Sequence, residues 1–170
     1  MSNTVIALSV EPLTHAAFQP FGEVIEASEA VPHYLINAGN TERYHDLTRL
    51  DPGPDGKLIA SIFRGQPRAL PFTVAMMERH PLGSQTFMPL SGRPYLVVVA
   101  APGPAPTTTG LHAFLAQGHQ GITYAKGVWH HPLLALTAVS DFLVLDRSGP
   151  GPNCDEVLLN PTALITLPGA

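Results

Sequence analysis

Two short stretches of the chain carry most of the side chains that could bind a metal ion or move protons. The first runs from Glu78 to Gln85 and contains His80, and the second, GVWHHP, contains His130. Glu78 and His80 are two residues apart, so on a β-strand they point to the same face. If the stretches face each other, their imidazole, carboxylate and amide groups could enclose a divalent metal or a small polar ligand.

Three cationic side chains near these stretches are candidates for binding an anionic ligand: Arg43, Arg64 and Lys126. A single arginine is usually a solvated surface residue, but Arg64 follows the apolar run LIASIF and precedes Gly65. At the end of a strand, an arginine can bind a carboxylate through two parallel hydrogen bonds. Cys154 has no neighbouring base in the sequence and is predicted to be structural.

Short β-rich segments separated by turns must position these groups. Eighteen prolines and fifteen glycines interrupt the 170 residues, and short strands with frequent turns indicate an all-β sandwich or barrel. A helix is expected only where Thr14 can cap a turn that runs through Phe18, while Leu111–Ala116 is compatible with either a short helix or a strand. The predicted strands are Val5–Val10, Gly22–Glu26, His33–Ile36, Arg43–Leu47, Leu58–Phe63, Phe72–Met77, Thr86–Pro89, Tyr95–Ala100, Ile122–Tyr124, Leu133–Leu136, Asp141–Leu145 and Glu156–Leu159.

The composition predicts a single domain over residues 1–170 with a substantial core, since 45% of residues are apolar and only 13% are charged. The net charge of −4 and the lack of a basic stripe argue against nucleic acid as a partner. No run approaches the roughly 20 apolar residues of a membrane helix, and no signal peptide is recognised. A single cysteine fits a reducing compartment, so a cytoplasmic location is predicted. No Gly-rich phosphate loop is present, and no organic cofactor is expected.

The spacing of the two stretches resembles the paired motifs of the cupin superfamily, which implies a cupin-like β-barrel or jelly roll with a few short helices. In that comparison Glu78, His80 and Gln85 occupy positions that are His, His and Glu in the cupin pattern, and His130 occupies the fourth. Gly92 matches the glycine that closes the first motif. Two of the four expected ligands are therefore changed. Two arrangements remain open: a divalent ion held by all four side chains, or a metal-free polar site in which they hydrogen-bond one another.

Five motifs in order make a closer resemblance, to the ureidoglycolate lyase family. They are ERYHDL from residue 42, ERHPLGSQ from 78, GVWHHPL from 127, DFLVLDR from 141 and NCD from 153. The resemblance implies a cupin-like homodimer of allantoin and purine breakdown. It implies a carbon–nitrogen lyase of the amidine-lyase type that cleaves (S)-ureidoglycolate to glyoxylate and urea. It also implies a divalent metal, usually nickel.

That chemistry gives roles to the four residues of the two stretches. His130 or His80 would take the substrate's hydroxyl proton as the carbonyl forms. Glu78 would orient a histidine or donate a proton, and Gln85 would donate to the ureido oxygen or the developing alkoxide. In the alternative mechanism, a metal held by the same four side chains would bind the hydroxyl and carboxylate and acidify the hydroxyl.

Binding of the substrate carboxylate would fall to Arg64, together with Arg43 or Lys126. Two other functions remain open at this stage: a hydrolase that releases ammonia from the same substrate, and a non-catalytic cupin module that binds or senses a small molecule. A metal cupin of another class would be expected to keep the full ligand set. The low charge also favours a homo-oligomer.

Overall fold

A computed structural model describes residues 5–168, and its regular structure is almost entirely β. None of the helical segments in this range has the length and apolar character needed to cross a membrane. One short helix, α1 (His15–Phe18), and two 3₁₀ turns, Asn37–Gly39 and Thr108–Gly110, are present among the described residues. The strands are β1 (Val5–Leu8), β2 (Val10–Pro12), β3 (Gly22–Ile25), β4 (His33–Ile36), β5 (Thr41–Tyr44), β6 (Lys57–Gly65), β7 (Phe72–Arg79), β8 (Gln85–Pro89), β9 (Tyr95–Ala100), β10 (His112–Ala116), β11 (Gly121–Tyr124), β12 (Trp129–His130), β13 (Leu134–Ala135), β14 (Ser140–Ser148) and β15 (Asp155–Ile165).

The strands form two main sheets. The eight-stranded sheet has the order β1-β15-β7-β12-β9-β10-β2, with β13 also paired to β9, and the five-stranded sheet has the order β3-β11-β8-β14-β6. A separate two-stranded sheet pairs β4 with β5. The predicted all-β, cupin-like barrel is confirmed.

The core lies between the two main sheets. One apolar cluster joins Phe87 and Phe142 of the five-stranded sheet to Val97 and Phe114 of the eight-stranded sheet. Alternate residues of β9 belong to this cluster, and the residues between them belong to a second apolar cluster on the other face. Because β9 is buried on both faces, its sequence YLVVVA is a continuous apolar run and not an alternating one.

The segment Val5–Pro12 departs from the prediction of one strand over Val5–Val10. Ser9 separates β1 from β2, and the two strands lie at opposite edges of the eight-stranded sheet. β1 pairs in parallel with β15, and β2 pairs in parallel with β10. One residue of chain therefore spans from one edge to the other, which brings the sheet close to a closed barrel.

Three other segments refine the predicted elements. The strand predicted over Arg43–Leu47 ends at Tyr44, because the backbone turns at Asp46, where φ is 54°. The ambiguous segment Leu111–Ala116 forms the strand β10, paired with β9. The predicted helical turn is confirmed, since Thr14 Oγ1 accepts a hydrogen bond of 3.1 Å from Ala17 N at the start of α1.

Candidate active site

Strand pairing brings the two sequence stretches face to face. His130 on β12 lies directly opposite Glu78 on β7. The turn before β12 is fixed as well, because Gly127 N donates a 2.9 Å hydrogen bond to the carbonyl of His80. Gly127 has a φ of 81°, a backbone conformation that favours glycine. Gly127 therefore allows the turn whose hydrogen bond to His80 holds the two stretches together.

All four side chains that the cupin spacing singled out meet at one point. Glu78 Oε1 lies 3.4 Å from His130 Nε2 and 3.9 Å from His80 Nε2. His80 Nε2 lies 3.1 Å from Gln85 Oε1. One ligand atom from each of Glu78, His80 and His130 falls within 4.8 Å of the others, which is compatible with a metal site.

Backbone carbonyls orient both imidazoles. His80 Nδ1 lies 2.7 Å from the carbonyl of Asn153, and His130 Nδ1 lies 3.0 Å from that of Val128. A carbonyl oxygen only accepts, so each Nδ1 carries a hydrogen, and in the neutral form of each ring the lone pair of Nε2 faces Glu78. His130 Nε2 is buried and makes no hydrogen bond. Acceptor atoms converge here without a donor between them among the described residues, and this arrangement fits a shared cation.

The electrostatics keep the carboxylate and one imidazole in their ligating forms. Burial would raise the pKa of Glu78, but the contact with His130 and the charges of His130 and His80 outweigh it and lower that pKa. Burial lowers the pKa of His130, and the His80 charge adds to the effect, against the opposing influence of Glu78. At neutral pH Glu78 is therefore ionised and His130 is uncharged, the states in which each can bind a metal.

Asp146 fixes the orientation of Gln85, a role that its position in the sequence did not indicate. Gln85 Nε2 donates to Asp146 Oδ2 at 3.3 Å, so the amide oxygen faces His80. Asp146 lies on β14, next to β8, which begins with Gln85. Its only signal in the sequence was its place in the motif DFLVLDR.

Tyr124 is a second residue that sequence reasoning missed. Its ring stacks on that of His130 with 4.1 Å between centroids and 7° between planes. Burial, with a smaller effect of the Glu78 charge, raises the pKa of Tyr124, so its phenol stays neutral. The hydrogen bond to Val128 alone would leave the His130 ring free to rotate about that contact, and stacking on Tyr124 restrains this rotation.

Cys154 contacts the other oxygen of the central carboxylate. Its Sγ lies 3.9 Å from Glu78 Oε2. Burial and the charges of Glu78, Glu156 and Asp155 raise the pKa of this thiol, so it remains a weak donor and not a thiolate. The exposed cysteine, predicted as structural only, therefore borders the site.

A cavity of about 520 Å³ opens beside Glu78 and Gln85. Its remaining wall comes from the end of β6, the loop after it, one residue of β8 and the segment that follows His131. These lining residues are Phe63, Arg64, Gly65, Gln66, Arg68, Phe87, Pro132 and Leu133.

Arg64 borders this cavity but is already paired within the chain. Its Nε and Nη2 donate to the two oxygens of Asp141 at 2.8 and 2.9 Å. The ring of Phe63 makes an edge contact with that of Phe87, and Arg64, the next residue along the strand, projects to the opposite face of the sheet. The Arg64 side chain is 68% exposed. The carboxylate that it binds through two parallel hydrogen bonds is that of Asp141 on the neighbouring strand, β14.

The structure does not bring Arg43 and Lys126 to this cavity. Arg43 lies opposite Tyr34 in the two-stranded sheet and does not line the cavity. Lys126 Nζ lies 3.5 Å from Asp51 Oδ2 and lines a second cavity, which shares no lining residue with the first. Arg68, on the loop after β6, is the cationic lining residue that the sequence did not suggest.

Comparison with known proteins is consistent along nearly the whole chain. The family model described as "Ureidoglycolate lyase" matches residues 5–166. A ureidoglycolate lyase of Azotobacter vinelandii is 54% identical over 150 residues, covering 88% of this chain and 90% of the relative. One of Burkholderia cepacia is 55% identical over 160 residues, covering 94% and 89%. A protein named ureidoglycolate lyase 1, of Rhizobium meliloti, is 56% identical over 151 residues, covering 88% and 87%.

Proposed function

The chain belongs to the ureidoglycolate lyase family, and from this membership we propose that it cleaves (S)-ureidoglycolate into glyoxylate and urea. The observation that carries the proposal is the cluster of Glu78, His80, Gln85 and His130 beside a cavity that Arg64 and Arg68 also line. The cavity of about 520 Å³ is ample for a substrate of this size.

The reaction needs three groups from the protein. The hydroxyl on the substrate's central carbon loses its proton while that carbon's bond to oxygen becomes a carbonyl. The bond from the same carbon to the ureido nitrogen breaks, and that nitrogen takes up a proton to leave as urea. A base, a proton source for the nitrogen and a cation for the carboxylate are therefore required.

The donor set favours a divalent metal in this site. We infer that Glu78, His80 and His130 hold it, with the Gln85 amide oxygen as a weaker fourth ligand, because their acceptor atoms converge and both Nδ1 atoms are engaged by backbone carbonyls. Imidazole and carboxylate suit nickel, zinc, iron or manganese. Such an ion, when bound, lowers the pKa of a coordinated hydroxyl.

The side chains of the cluster have separate roles in the reaction. Glu78 supplies the negative charge that balances a cation, and Gln85, oriented by Asp146, presents its oxygen to His80. In protein without metal, the lone pair of His130 Nε2 can accept the hydroxyl proton. Burial lowers the pKa of His130, so this ring is uncharged at neutral pH. Metal ligation and proton acceptance exclude each other at this atom, so metal dependence distinguishes the two mechanisms.

The test is to incubate the purified protein with racemic ureidoglycolate while urea, glyoxylate and ammonia are followed, before and after chelation and again after divalent metal is restored. We expect half of the racemate to yield equal amounts of urea and glyoxylate. We expect His130→Gln to reduce the rate at least about 100-fold with its fold retained.

Other results would point to the other functions. Ammonia in place of urea would identify a hydrolase. Binding of glyoxylate with no turnover of either enantiomer would identify a binding or sensing module. Full activity after complete chelation would show that the reaction needs no metal and would leave His130 as the base.

A further inference from the structure

Arg68 is the cation on the cavity wall whose guanidinium is not already paired. Among residues 5–168 no carboxylate lies within ion-pair distance of it, and its side chain makes no hydrogen bond. Arg64, on the same wall, has both oxygens of Asp141 bound to it. To bind a ligand carboxylate, Arg64 would have to release that of Asp141. Exchanging one carboxylate for another contributes little net binding free energy.

Backbone contacts fix the position of the loop that carries Arg68. Its N–H donates a 2.9 Å hydrogen bond to the carbonyl of Ala135 on β13. At the start of the same loop, Gly65 packs so closely on Leu133 and Ala135 that an added Cβ would lie 3.0 and 3.3 Å from their side chains. The loop that carries Arg68 is therefore fastened to the segment that directly follows His130.

Arg68 also shares the cavity with the segment that follows His130. His131 is engaged through Nδ1 with the carbonyl of Pro132, and Pro132 lines the cavity together with Arg68, Glu78 and Gln85.

We propose that Arg68, and not Arg64, binds the carboxylate of the substrate and so selects small 2-hydroxycarboxylates for this site. The identity of the substrate rests on the function proposed above, whereas the carboxylate contact does not. A guanidinium binds a carboxylate through a planar pair of hydrogen bonds that a lysine cannot reproduce.

The experiment measures binding without catalysis. Glycolate, which has the carboxylate and hydroxyl of the substrate, and glycolamide, its uncharged counterpart, are titrated into the protein by calorimetry. Wild-type protein is expected to prefer glycolate. Arg68→Ala is expected to weaken glycolate binding by about 10- to 100-fold and to leave glycolamide unchanged, with Arg68→Lys in between. Arg49→Ala, an exposed arginine of the second cavity, is the matched control and should bind both as the wild type does.

Steady-state kinetics on ureidoglycolate give the second readout, with a raised KM for Arg68→Ala and thermal unfolding to confirm its fold. Wild-type glycolate affinity in Arg68→Ala, or a larger loss in Arg64→Ala than in Arg68→Ala, overturns the proposal. Equal affinity of wild-type protein for glycolate and glycolamide overturns it as well. If glycolate binding depends on Arg68 but ureidoglycolate is not cleaved, the lyase reaction fails and the carboxylate contact stands.

Discussion

At the scale of single residues, the glutamine in place of a glutamate at position 85 has a physical reason. Its amide group bridges an acceptor and an anion, because Oε1 faces His80 while Nε2 donates to Asp146. A carboxylate has no N–H to donate, so glutamate would bring two negative groups together in a position that is 6% exposed. The departure from the cupin ligand set therefore follows from Asp146.

We expect Gln85→Glu to destabilise the metal-free protein by about 1–3 kcal/mol, since a donor is lost and two carboxylates are brought together in a buried site. The double variant Gln85→Glu/Asp146→Asn should recover most of that loss. Urea denaturation of the two single variants and the double variant measures the coupling. Additive effects in this cycle would contradict the role given to Asp146.

The sequence could predict the residues of the cluster but not the carboxylate-binding arginine. Glu78, His80, Gln85 and His130 follow from spacing on strands and from motif order, both of which are local. Arg64 appeared suitable because it ends an apolar strand, yet which face it takes is decided by the packing of its neighbour on another strand. Arg68 lies in a loop without periodicity, so nothing in its surroundings along the chain distinguishes it.

At the scale of elements, register determines what each strand contributes. β14 pairs with β6 along nine residues and with β8 on its other side, which places Asp141 beside Arg64 and Asp146 near Gln85. The strands themselves were largely predictable from their apolar and β-branched runs. The split between β1 and β2 and the length of β15 were not, because both depend on partners distant in the chain.

The ion pair between Arg64 and Asp141 should make the β6–β14 pairing depend on pH. The hydrogen bonds from Arg64 hold the pKa of Asp141 below its ordinary value of 3.8. The carboxylate is thus stabilising above that value, and its contribution disappears as pH falls through the lowered pKa of the folded protein. Thermal unfolding between pH 7 and pH 2 should show wild-type protein more stable than Asp141→Asn at pH 7, with the difference shrinking as pH falls below 3.8.

Asp55→Asn provides the matched control for this measurement. Asp55 is exposed in a turn and has no ion-pair partner within the described residues, so its replacement should leave the pH profile unchanged. A difference between wild-type protein and Asp141→Asn that stays constant from pH 7 to pH 2 would rule out the ion pair as its cause.

At the scale of the whole molecule, β6 provides a surface suited to a second copy of the chain. It is the last strand of the five-stranded sheet, so one side of its nine-residue backbone is unpaired within residues 5–168. Its exposed large apolar side chains include Leu58 and Ile62 on one face. A long, apolar edge strand is otherwise a site of aggregation, and we therefore propose that the chain forms a homodimer through β6.

Ile62→Lys tests this dimer. Ile62 is 56% exposed in one chain, and a charge in its place should weaken the dimer by roughly 10- to 100-fold, the loss expected for one buried aliphatic side chain. Sedimentation equilibrium measures the dissociation constant. Leu90→Lys, at 55% exposure and outside β6, should leave it unchanged. Wild-type protein that sediments as a monomer would refute the interface.

The placement of β1 and β2 at opposite edges of one sheet has a consequence for the order of events during synthesis. The partner of β1 is residues 162–165 of β15, which are synthesised long after it. At the usual pace of translation, the residues between these two strands take roughly 10 to 30 s to synthesise, and for all of that time β1 has no partner. The edge of the eight-stranded sheet that β1 forms is therefore completed only after β15 has emerged from the ribosome.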